Sequence, residues 1–204
     1  MHSSPAQSFV RFGNISVAFE PALDGGGSRF GQEFIPVVAG RLARCQHIFE
    51  FCAGPGFIGF SLLARGLCER LTLADINPDA VAACRRTILL NGLEHCCSVY
   101  LSDVFDSIPK TEQWDLIVGN PPHWPQPRPS ECDLRKYDTG LMIHRRFFQK
   151  AREFLKPGGS LLLQENSDAT TARDFESMIA NGGFRLVDVF KATEDSRFYF
   201  LLCQ

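Results

Sequence analysis

The residue types of Asn120-Pro121-Pro122-His123 are suited to binding a polar ligand. They follow the largely apolar run 115–119, whose composition predicts a buried parallel strand. The two prolines end the hydrogen-bond ladder of that strand because proline has no N–H, and they stiffen the loop at its carboxyl end. The Asn120 amide oxygen and the Pro121 carbonyl then form a pair of acceptors that suits a planar NH2 group. A plain strand-terminating turn is the alternative interpretation.

A glycine-rich turn follows another predicted strand, and it reads Glu50-Phe51-Cys52-Ala53-Gly54-Pro55-Gly56. Its two glycines leave space for a ligand against the backbone, and the helix that begins after them supplies unpaired N–H groups. Cys52 stands where the dinucleotide-binding fingerprint would have its first glycine. The turn alone is therefore a weak signal, and a tight turn without a ligand would look the same.

Two more predicted strands end in an acidic residue. Asp75 follows Gly54 by 75 − 54 = 21 residues, which agrees with the usual position of a ribose-binding carboxylate. Asn77 suits the N-cap of the next helix, which leaves Asp75 for another role. Asp103, beside Val104, can meet an adenine amino group. Three strand ends with suitable groups indicate a nucleotide-like ligand.

Composition limits the class of protein. The 204 residues are enough for one domain with a core, and the net charge of -2 does not call for nucleic acid. No apolar run approaches the ~20 residues of a membrane span, and residues 1–5 lack the apolar core of a signal peptide. The eight cysteines contain no C-x-x-C pair, so we expect reduced, mostly buried thiols in a cytoplasmic protein, with no metal site and no disulfide framework.

Hydrophobic patterns predict an alternation of strands and helices, which is typical of a parallel α/β sheet. The last two strands have only a polar turn between them, so we expect an antiparallel hairpin there. The predicted strands are 47–52, 70–74, 97–101, 114–118, 160–164, 184–190 and 197–202, and the predicted helices are 31–42, 57–67, 79–90, 140–155 and 169–181.

These features together resemble the class I S-adenosylmethionine-dependent methyltransferases. Within that class the chain is similar to the small-domain group with an Asn-Pro-Pro-aromatic motif, typified by the HemK-type glutamine methyltransferases. The resemblance covers about residues 30–203 and includes the segment 30–35 before the first helix and the segment 154–159 before the fifth core strand. It implies a three-layer, Rossmann-like α/β sandwich whose seven-stranded sheet is mostly parallel and carries a C-terminal antiparallel hairpin.

The resemblance also implies a cofactor and a reaction. The cofactor is S-adenosylmethionine, and its product is S-adenosylhomocysteine. The expected reaction is methyl transfer to a planar amide, amino or guanidino nitrogen of a small molecule or a protein side chain. Alignment of the reacting groups would do most of the catalytic work. By this resemblance the cofactor would contact Glu50, Cys52, Ala53, Gly54, Gly56, Asp75, Ile76, Asp103, Val104 and Asn120. Catalysis would involve Asn120, Pro121 and His123. The substrate would contact Pro122, His123, Trp124 and Glu33.

Three features depart from the family pattern. His123 stands where the family usually has an aromatic residue; it can stack as a ring or accept a proton, and Trp124 could supply the stacking instead. Residues 1–30 form an N-terminal extension with short strands around Gly13 and a glycine-rich, lid-like loop at 24–29, ahead of a methyltransferase domain at 31–204. About 46 residues precede the first core strand, too few for a helical recognition domain.

Other functions are also compatible with parts of the sequence. An RNA or DNA base methyltransferase would use the basic stretch 144–152 as a patch, although a solvated helix face is the simpler interpretation. A catalytically silent partner subunit would bind the cofactor without turnover. A nicotinamide oxidoreductase lacks a clean fingerprint here. If the protein is an enzyme of any of these kinds, the proline-stiffened loop 124–138 is expected to contact the substrate.

Overall fold

A computed structural model describes residues 7–42, 44–126 and 135–204. The chain begins with an antiparallel hairpin, β1 (Ser8–Phe12) and β2 (Ile15–Phe19). A second sheet has the spatial order β5-β4-β3-β6-β7-β9-β8. Its strands are β3 (His47–Phe51), β4 (Arg70–Asp75), β5 (Cys97–Leu101), β6 (Trp114–Gly119), β7 (Leu155–Asn166), β8 (Leu186–Lys191) and β9 (Phe198–Cys203).

The pairings in the second sheet are parallel from β5 to β7, whereas β9 runs antiparallel to both β7 and β8. This is the mostly parallel sheet with a C-terminal antiparallel hairpin that the sequence predicts. The central parallel strands β3 and β6 are largely buried because helices cover both faces of the sheet there. In β3 all five residues are buried, which explains the continuous apolar character of that segment.

Helices cover both faces of the sheet and produce three layers. They are α1 (Gly27–Phe30), α2 (Phe34–Arg41), α3 (Phe57–Ala64), α4 (Pro78–Leu90), α5 (Met142–Ala151) and α6 (Ala172–Asn181). One core packs Phe57 of α3 and Ile88 of α4 against the sheet. The other packs Phe147 of α5 and Phe175 of α6 against the opposite face. The predicted three-layer α/β sandwich is therefore confirmed.

The helix predicted over 140–155 is shorter in the structure. Gly140 and Leu141 have φ values of 65° and 57°, in the left-handed region, so a regular helix begins only at Met142. At the other end, Arg152–Phe154 forms a single 3-10 turn, and Leu155 already pairs with Trp114 in the sheet. The strand predicted over 160–164 is correspondingly longer.

The N-terminal hairpin packs directly on the main domain. The Ser16 N–H donates to the side chain of Asn91, the residue after α4, and the Ala18 N–H donates to the Thr87 hydroxyl of α4, each at 2.9 Å. Residues 21–29, expected as a loop, contain a 3-10 turn at Pro21–Leu23 and the start of α1. The Asp24 carboxylate orders this segment by accepting a hydrogen bond from the Gly26 N–H at 2.8 Å.

The seven cysteines in the described part of the chain are free thiols, and five of them are buried, as expected from their apolar surroundings. Cys132 lies outside the described residues. Within residues 7–42, 44–126 and 135–204, none of the helices combines the length and apolar character needed to cross a membrane.

Candidate active site

The turn between β3 and α3 is held from below by the buried carboxylate of Glu50. Its two oxygens accept hydrogen bonds from the backbone N–H groups of Ile58 at 3.2 Å and Gly59 at 2.7 Å. Burial raises the pKa of Glu50 to about 8, although both N–H groups favour the ionised form. Glu50 thereby fixes the first turn of α3 and the loop before it. A Cβ atom at position 59 would lie 2.7 Å from this carboxylate, which explains Gly59.

The two glycines of this turn have different surroundings. Gly56 has a φ of 82°, and a Cβ there would lie 2.7 Å from the Phe60 ring and 2.8 Å from the Leu73 side chain. Gly54 also has a positive φ, 52°, but a Cβ there would have no described atom within 4 Å. Gly56 is therefore required by packing, whereas Gly54 faces the open side of the loop, where a ligand can approach the backbone.

Cys52 adopts a φ of 51° although it is not a glycine. This conformation is costly for a residue with a side chain. It occurs at the position where the dinucleotide fingerprint would have glycine, so the backbone keeps the glycine-like turn. Next to it, the Ala53 N–H donates to the Ala74 carbonyl at 3.0 Å and ties the loop to the end of β4.

Asp75 lies at the end of β4 and contacts the same loop. Its carboxylate accepts hydrogen bonds from the N–H groups of Gly54 at 2.7 Å and Asn77 at 2.8 Å. Burial raises its pKa above the ordinary value, and these N–H groups oppose the shift. The Asn77 side chain caps α4 by accepting from the Asp79 N–H, as the sequence predicts. The neighbouring Ile76 side chain is 58% exposed, which leaves an apolar surface beside the carboxylate.

Asp103 follows β5 at the same edge of the sheet. It forms an ion pair with Arg146 of α5 at 2.8 Å, and Arg146 also binds Asp106. Val104 is buried with a φ of 54°, in a turn where the Ser102 hydroxyl donates to its carbonyl. The ion pair fixes the position of Asp103. It also uses a basic residue of α5, so that helix is not an open cationic patch.

The Asn-Pro-Pro segment begins directly after β6. Gly119 precedes it because a Cβ there would lie 2.9 Å from the Phe51 carbonyl oxygen. Pro121 and Pro122 are both buried. The Asn120 Oδ1 atom is buried and accepts no hydrogen bond from any residue that the structure describes. A buried acceptor without a donor costs about 1–3 kcal/mol, so an orphan at this position indicates a ligand-binding role.

A second unpartnered acceptor belongs to β7, the strand beside β6. Gln164 donates from Nε2 to Glu33 at 3.3 Å, while its Oε1 is buried and has no donor in the described part of the chain. Glu33 also accepts from the Glu194 N–H at 3.0 Å, and burial raises the pKa of Glu33. The register of β6 and β7 aligns Gly119 with Leu163, so Asn120 and Gln164 follow at the same level of the sheet.

His123 contacts Glu165, a residue for which the sequence predicts no role in the site. Its Nδ1 atom lies 3.2 Å from the Glu165 carboxylate, which is fully buried in β7. Glu165 in turn binds His144 of α5 at 2.9 Å, and His144 binds Asp138 at 2.6 Å. Two features of the sequence could have indicated this contact. Glu165 directly follows the predicted strand 160–164, and His144 lies on the apolar face of a predicted helix.

Trp124 closes the segment and begins the long loop that follows. Its N–H donates to the Lys136 carbonyl, and its carbonyl accepts from the Asp138 N–H, both at 2.9 Å. These bonds place both ends of the loop beside the Asn-Pro-Pro segment. The substrate contacts expected from residues 127–134 lie outside the described residues.

The residues at this edge fit S-adenosylmethionine on structural grounds. The Gly54 backbone is open where a Cβ would otherwise stand, Asp75 offers a carboxylate at the end of the second core strand, and Ile76 offers an exposed apolar face. Ligands of open α/β sheets bind at this carboxyl edge. The arrangement suits a ligand that has a nucleoside part and an amino acid part, with the amino acid part lying along the glycine backbone.

Comparisons with known proteins agree with this interpretation. Ribosomal RNA small subunit methyltransferase C from Pseudomonas aeruginosa (strain LESB58) is 34% identical over 121 residues, which are 59% of this chain and 32% of that protein. Release factor glutamine methyltransferase from Leptospira interrogans is 34% identical over 113 residues, 54% of this chain and 38% of that protein. The chain thus matches about a third of the length of these curated relatives.

Among solved structures, a T. thermophilus 16S rRNA N2 methyltransferase in complex with AdoMet and guanosine superposes with a TM-score of 0.67. The match covers 99% of this chain and 51% of that chain at 15% identity, and therefore shows the fold. The fold is that of the class I methyltransferases that depend on S-adenosylmethionine. Residues 32–199 match the family model of the methyltransferase small domain. The chain belongs to that family.

Proposed function

We propose that the chain methylates a planar NH2 nitrogen of a macromolecule, either a glutamine amide or the exocyclic amino group of a nucleobase. The observation that carries this proposal is the buried, unpartnered Oδ1 atom of Asn120. An acceptor at this point can bind one N–H of the substrate and direct the nitrogen lone pair towards the methyl carbon. The names of the two curated relatives, which specify ribosomal RNA and release factor glutamine, favour a macromolecule over a small molecule.

When bound, S-adenosylmethionine supplies a methyl group on a positively charged sulfur. The protein residues then have a positioning task, for which alignment alone can contribute about 7–11 kcal/mol. In this proposal Gly54 and Gly56 line the methionine part of the cofactor, Asp75 and Ile76 hold the ribose, and Asp103 with Val104 meets the adenine. Glu50 acts through the loop that it supports, because its contacts are with the backbone of α3.

The acceptor side of the site consists of residues from the two central strand ends. Asn120 Oδ1 and the Pro121 carbonyl bind the NH2 group, and the buried prolines keep both acceptors in place. Both groups accept hydrogen bonds and neither donates through these oxygens, which selects a nitrogen that carries hydrogens. The Glu33 and Gln164 pair lies at the same edge and can contact further N–H groups.

Of these two acceptors, the nucleobase amino group is supported by the rRNA methyltransferases among the relatives. The positive charge of α5 that would favour a nucleobase substrate is partly compensated by acidic residues. Arg146 and Lys150 are both paired with Asp106, each at 2.8 Å, so their charges are largely compensated.

The chemical class of the product tests the proposal. The protein is incubated with methyl-labelled S-adenosylmethionine and, separately, with deproteinised ribosomal RNA and with glutamine-containing peptides. We expect label that survives alkaline treatment and that mass spectrometry assigns to an amide or amino nitrogen in one of the two substrates. Label released by mild alkali, as from a methyl ester, or label on carbon would refute N-methyl transfer.

A further inference from the structure

Four ionisable side chains form a continuous row behind the Asn-Pro-Pro segment. His123 Nδ1 lies 3.2 Å from Glu165 Oε2, Glu165 Oε1 lies 2.9 Å from His144 Nε2, and His144 Nδ1 lies 2.6 Å from Asp138 Oδ2. The side chains of the three inner residues are at most 1% exposed, whereas His123 is 13% exposed and lies at the outer end. The row therefore leads from the interior to the substrate side of the sheet.

The geometry fixes the charges in this row. Both ring nitrogens of His144 face carboxyl groups, which is the arrangement of an imidazolium that donates from both nitrogens. Burial alone would lower its pKa, but the charge of Glu165 and the hydrogen bonds to both acids outweigh burial and raise the pKa to about 9. Burial would raise the pKa of Glu165, but the charge of His144 and the bond to His123 hold it below the ordinary value. Glu165 is therefore ionised and can only accept from His123.

Two other ionisable groups beside the row, Cys52 and Tyr199, are uncharged. The pKa values of the Cys52 thiol and the Tyr199 phenol are both raised, chiefly by burial, and Glu165 adds to both shifts, so both groups stay protonated. Two aromatic rings also contact the row: the Phe175 ring faces His144 with a centroid distance of 4.9 Å, and the Phe198 ring faces His123 at 5.8 Å. Glu165 is thus the charged group in contact with His123 among the described residues.

Stability gives little reason to keep such a row. Buried ion pairs often contribute no more than apolar side chains of similar volume, because each charge loses its hydration. Asp138 does have a local role, since it accepts from the Ile143 and His144 N–H groups at 2.8 and 3.1 Å in the first turn of α5. Among the described residues the Glu165 carboxylate has no such backbone role, and its hydrogen-bond partners are the two histidines.

We infer that His123 accepts the proton that the substrate nitrogen releases, and that Glu165, His144 and Asp138 are positioning residues that keep its Nδ1 protonated and its Nε2 free. This inference rests on the proposed N-methyl transfer. A carboxylate behind an imidazole orients the ring, selects the tautomer and stabilises the imidazolium that forms. A ring that only stacked on the substrate would not need a buried, ionised acid at its far side.

Methyl transfer and proton transfer together form two bonds and break two bonds. The nitrogen lone pair forms the bond to the methyl carbon, and the carbon–sulfur bond breaks with its electron pair remaining on sulfur. One N–H bond then breaks, its electrons return to nitrogen, and the proton moves to His123 Nε2. Because His123 is partly exposed, the proton can leave to solvent before the next turnover.

The first test is made on the ligand-free protein and needs no substrate. ¹⁵N-histidine NMR spectra are recorded near neutral pH, and the five histidines are assigned by single substitutions. We expect both ring nitrogens of His144 to be protonated and neutral His123 to carry its proton on Nδ1. Glu165→Gln should remove the imidazolium signature of His144 and mix the tautomers of His123. A neutral His144 in the wild-type protein would overturn the inference.

Thr72→Val is the matched control for Glu165→Gln. It removes the hydroxyl 2.8 Å from another buried histidine, His47, at the opposite end of the sheet. The signals of His123 and His144 should not change in this variant. Equal changes in both variants would show a general effect of loosened packing and would contradict the assignment.

Kinetics provide the second test once an acceptor nitrogen is identified. His123→Phe should lower kcat by about 100-fold or more and abolish the acidic limb of the pH profile, while the KM for S-adenosylmethionine stays within about twofold. Glu165→Gln keeps the imidazole, so it should lower kcat and move the acidic limb to lower pH without removing it. His123→Phe keeps an aromatic ring at this position, and thermal unfolding of the variant checks that the fold is retained. An unchanged pH profile in this variant would refute the base role. Absence of nitrogen methylation by the wild-type protein would instead refute the proposed function itself.

Discussion

The Gly54 N–H donates a 2.7 Å hydrogen bond to the Asp75 carboxylate and so joins the ends of the first two core strands. The same carboxylate binds the Asn77 N–H at the start of α4. One acidic side chain therefore orders the glycine turn and the loop after β4 together. This arrangement places a fixed carboxylate beside an open backbone, which is the geometry required for a ribose next to an amino acid moiety.

Asp75→Ala is expected to weaken binding of S-adenosylhomocysteine by about 10- to 100-fold, because charge-assisted hydrogen bonds contribute about 1.5–3 kcal/mol. Isothermal titration calorimetry measures the change. Asp79→Ala is the matched control, since it removes an equal charge from an exposed position in the first turn of α4. Equal affinity in the wild-type protein and in Asp75→Ala would contradict the ribose assignment. An absence of binding in the wild-type protein would favour a silent subunit.

Gly54→Ala and Gly56→Ala should separate binding from folding. Both residues have positive φ, so each alanine adds about 1–2 kcal/mol of backbone strain. Only at position 56 does the new methyl overlap buried side chains, those of Phe60 and Leu73, which adds about 1–3 kcal/mol. Thermal unfolding should therefore show the lower Tm for Gly56→Ala.

Calorimetry on the same two glycine variants should show that Gly54→Ala remains folded but loses affinity for S-adenosylhomocysteine, because its methyl group occupies the open side of the turn. Undiminished affinity in Gly54→Ala would mean that the ligand does not approach this backbone.

The stability of the fold should fall as pH rises through the range set by Glu50. Its pKa is about 8 in the folded state and 4.5 ordinarily, so the folded protein binds more protons between these values. The contribution is fully present below the unfolded pKa and is lost as pH rises through the folded pKa. Urea midpoints compared near pH 5 and pH 8 should differ less in Glu50→Gln than in the wild-type protein.

Glu153→Gln is the control for Glu50→Gln, because it makes the same change of charge at an exposed position. Its urea midpoints should follow those of the wild-type protein at both pH values. An identical pH dependence in Glu50→Gln and the wild-type protein would contradict the raised pKa.

Features that depend on short stretches of sequence could be predicted from it. The strands, the acids at the ends of β4 and β5, and the Asn77 cap each follow from neighbouring residues, and the structure places them as expected. The start of α5 could not be predicted, because periodicity does not reveal that Leu141 adopts a left-handed conformation. The roles assigned to the site residues remain predictions.

The row of ionisable groups behind His123 was not predictable for a different reason. Glu165 lies 42 residues from His123 and 21 residues from His144 along the chain, and only the finished fold brings them together. A lone histidine on the apolar face of a helix normally indicates a packed core residue. The role that we infer for His144 depends on its contact with Glu165 of β7, which no local pattern specifies.

The most direct test of the acceptor site compares Asn120→Ala with the wild-type protein in methyl transfer, cofactor binding and thermal unfolding. Transfer should fall at least about 100-fold, because the nitrogen loses its orientation. The affinity for S-adenosylhomocysteine should stay within a few fold, and Tm should be equal or higher, since the variant removes a buried acceptor without a donor. Undiminished transfer by Asn120→Ala would contradict the assignment of this residue to the acceptor site.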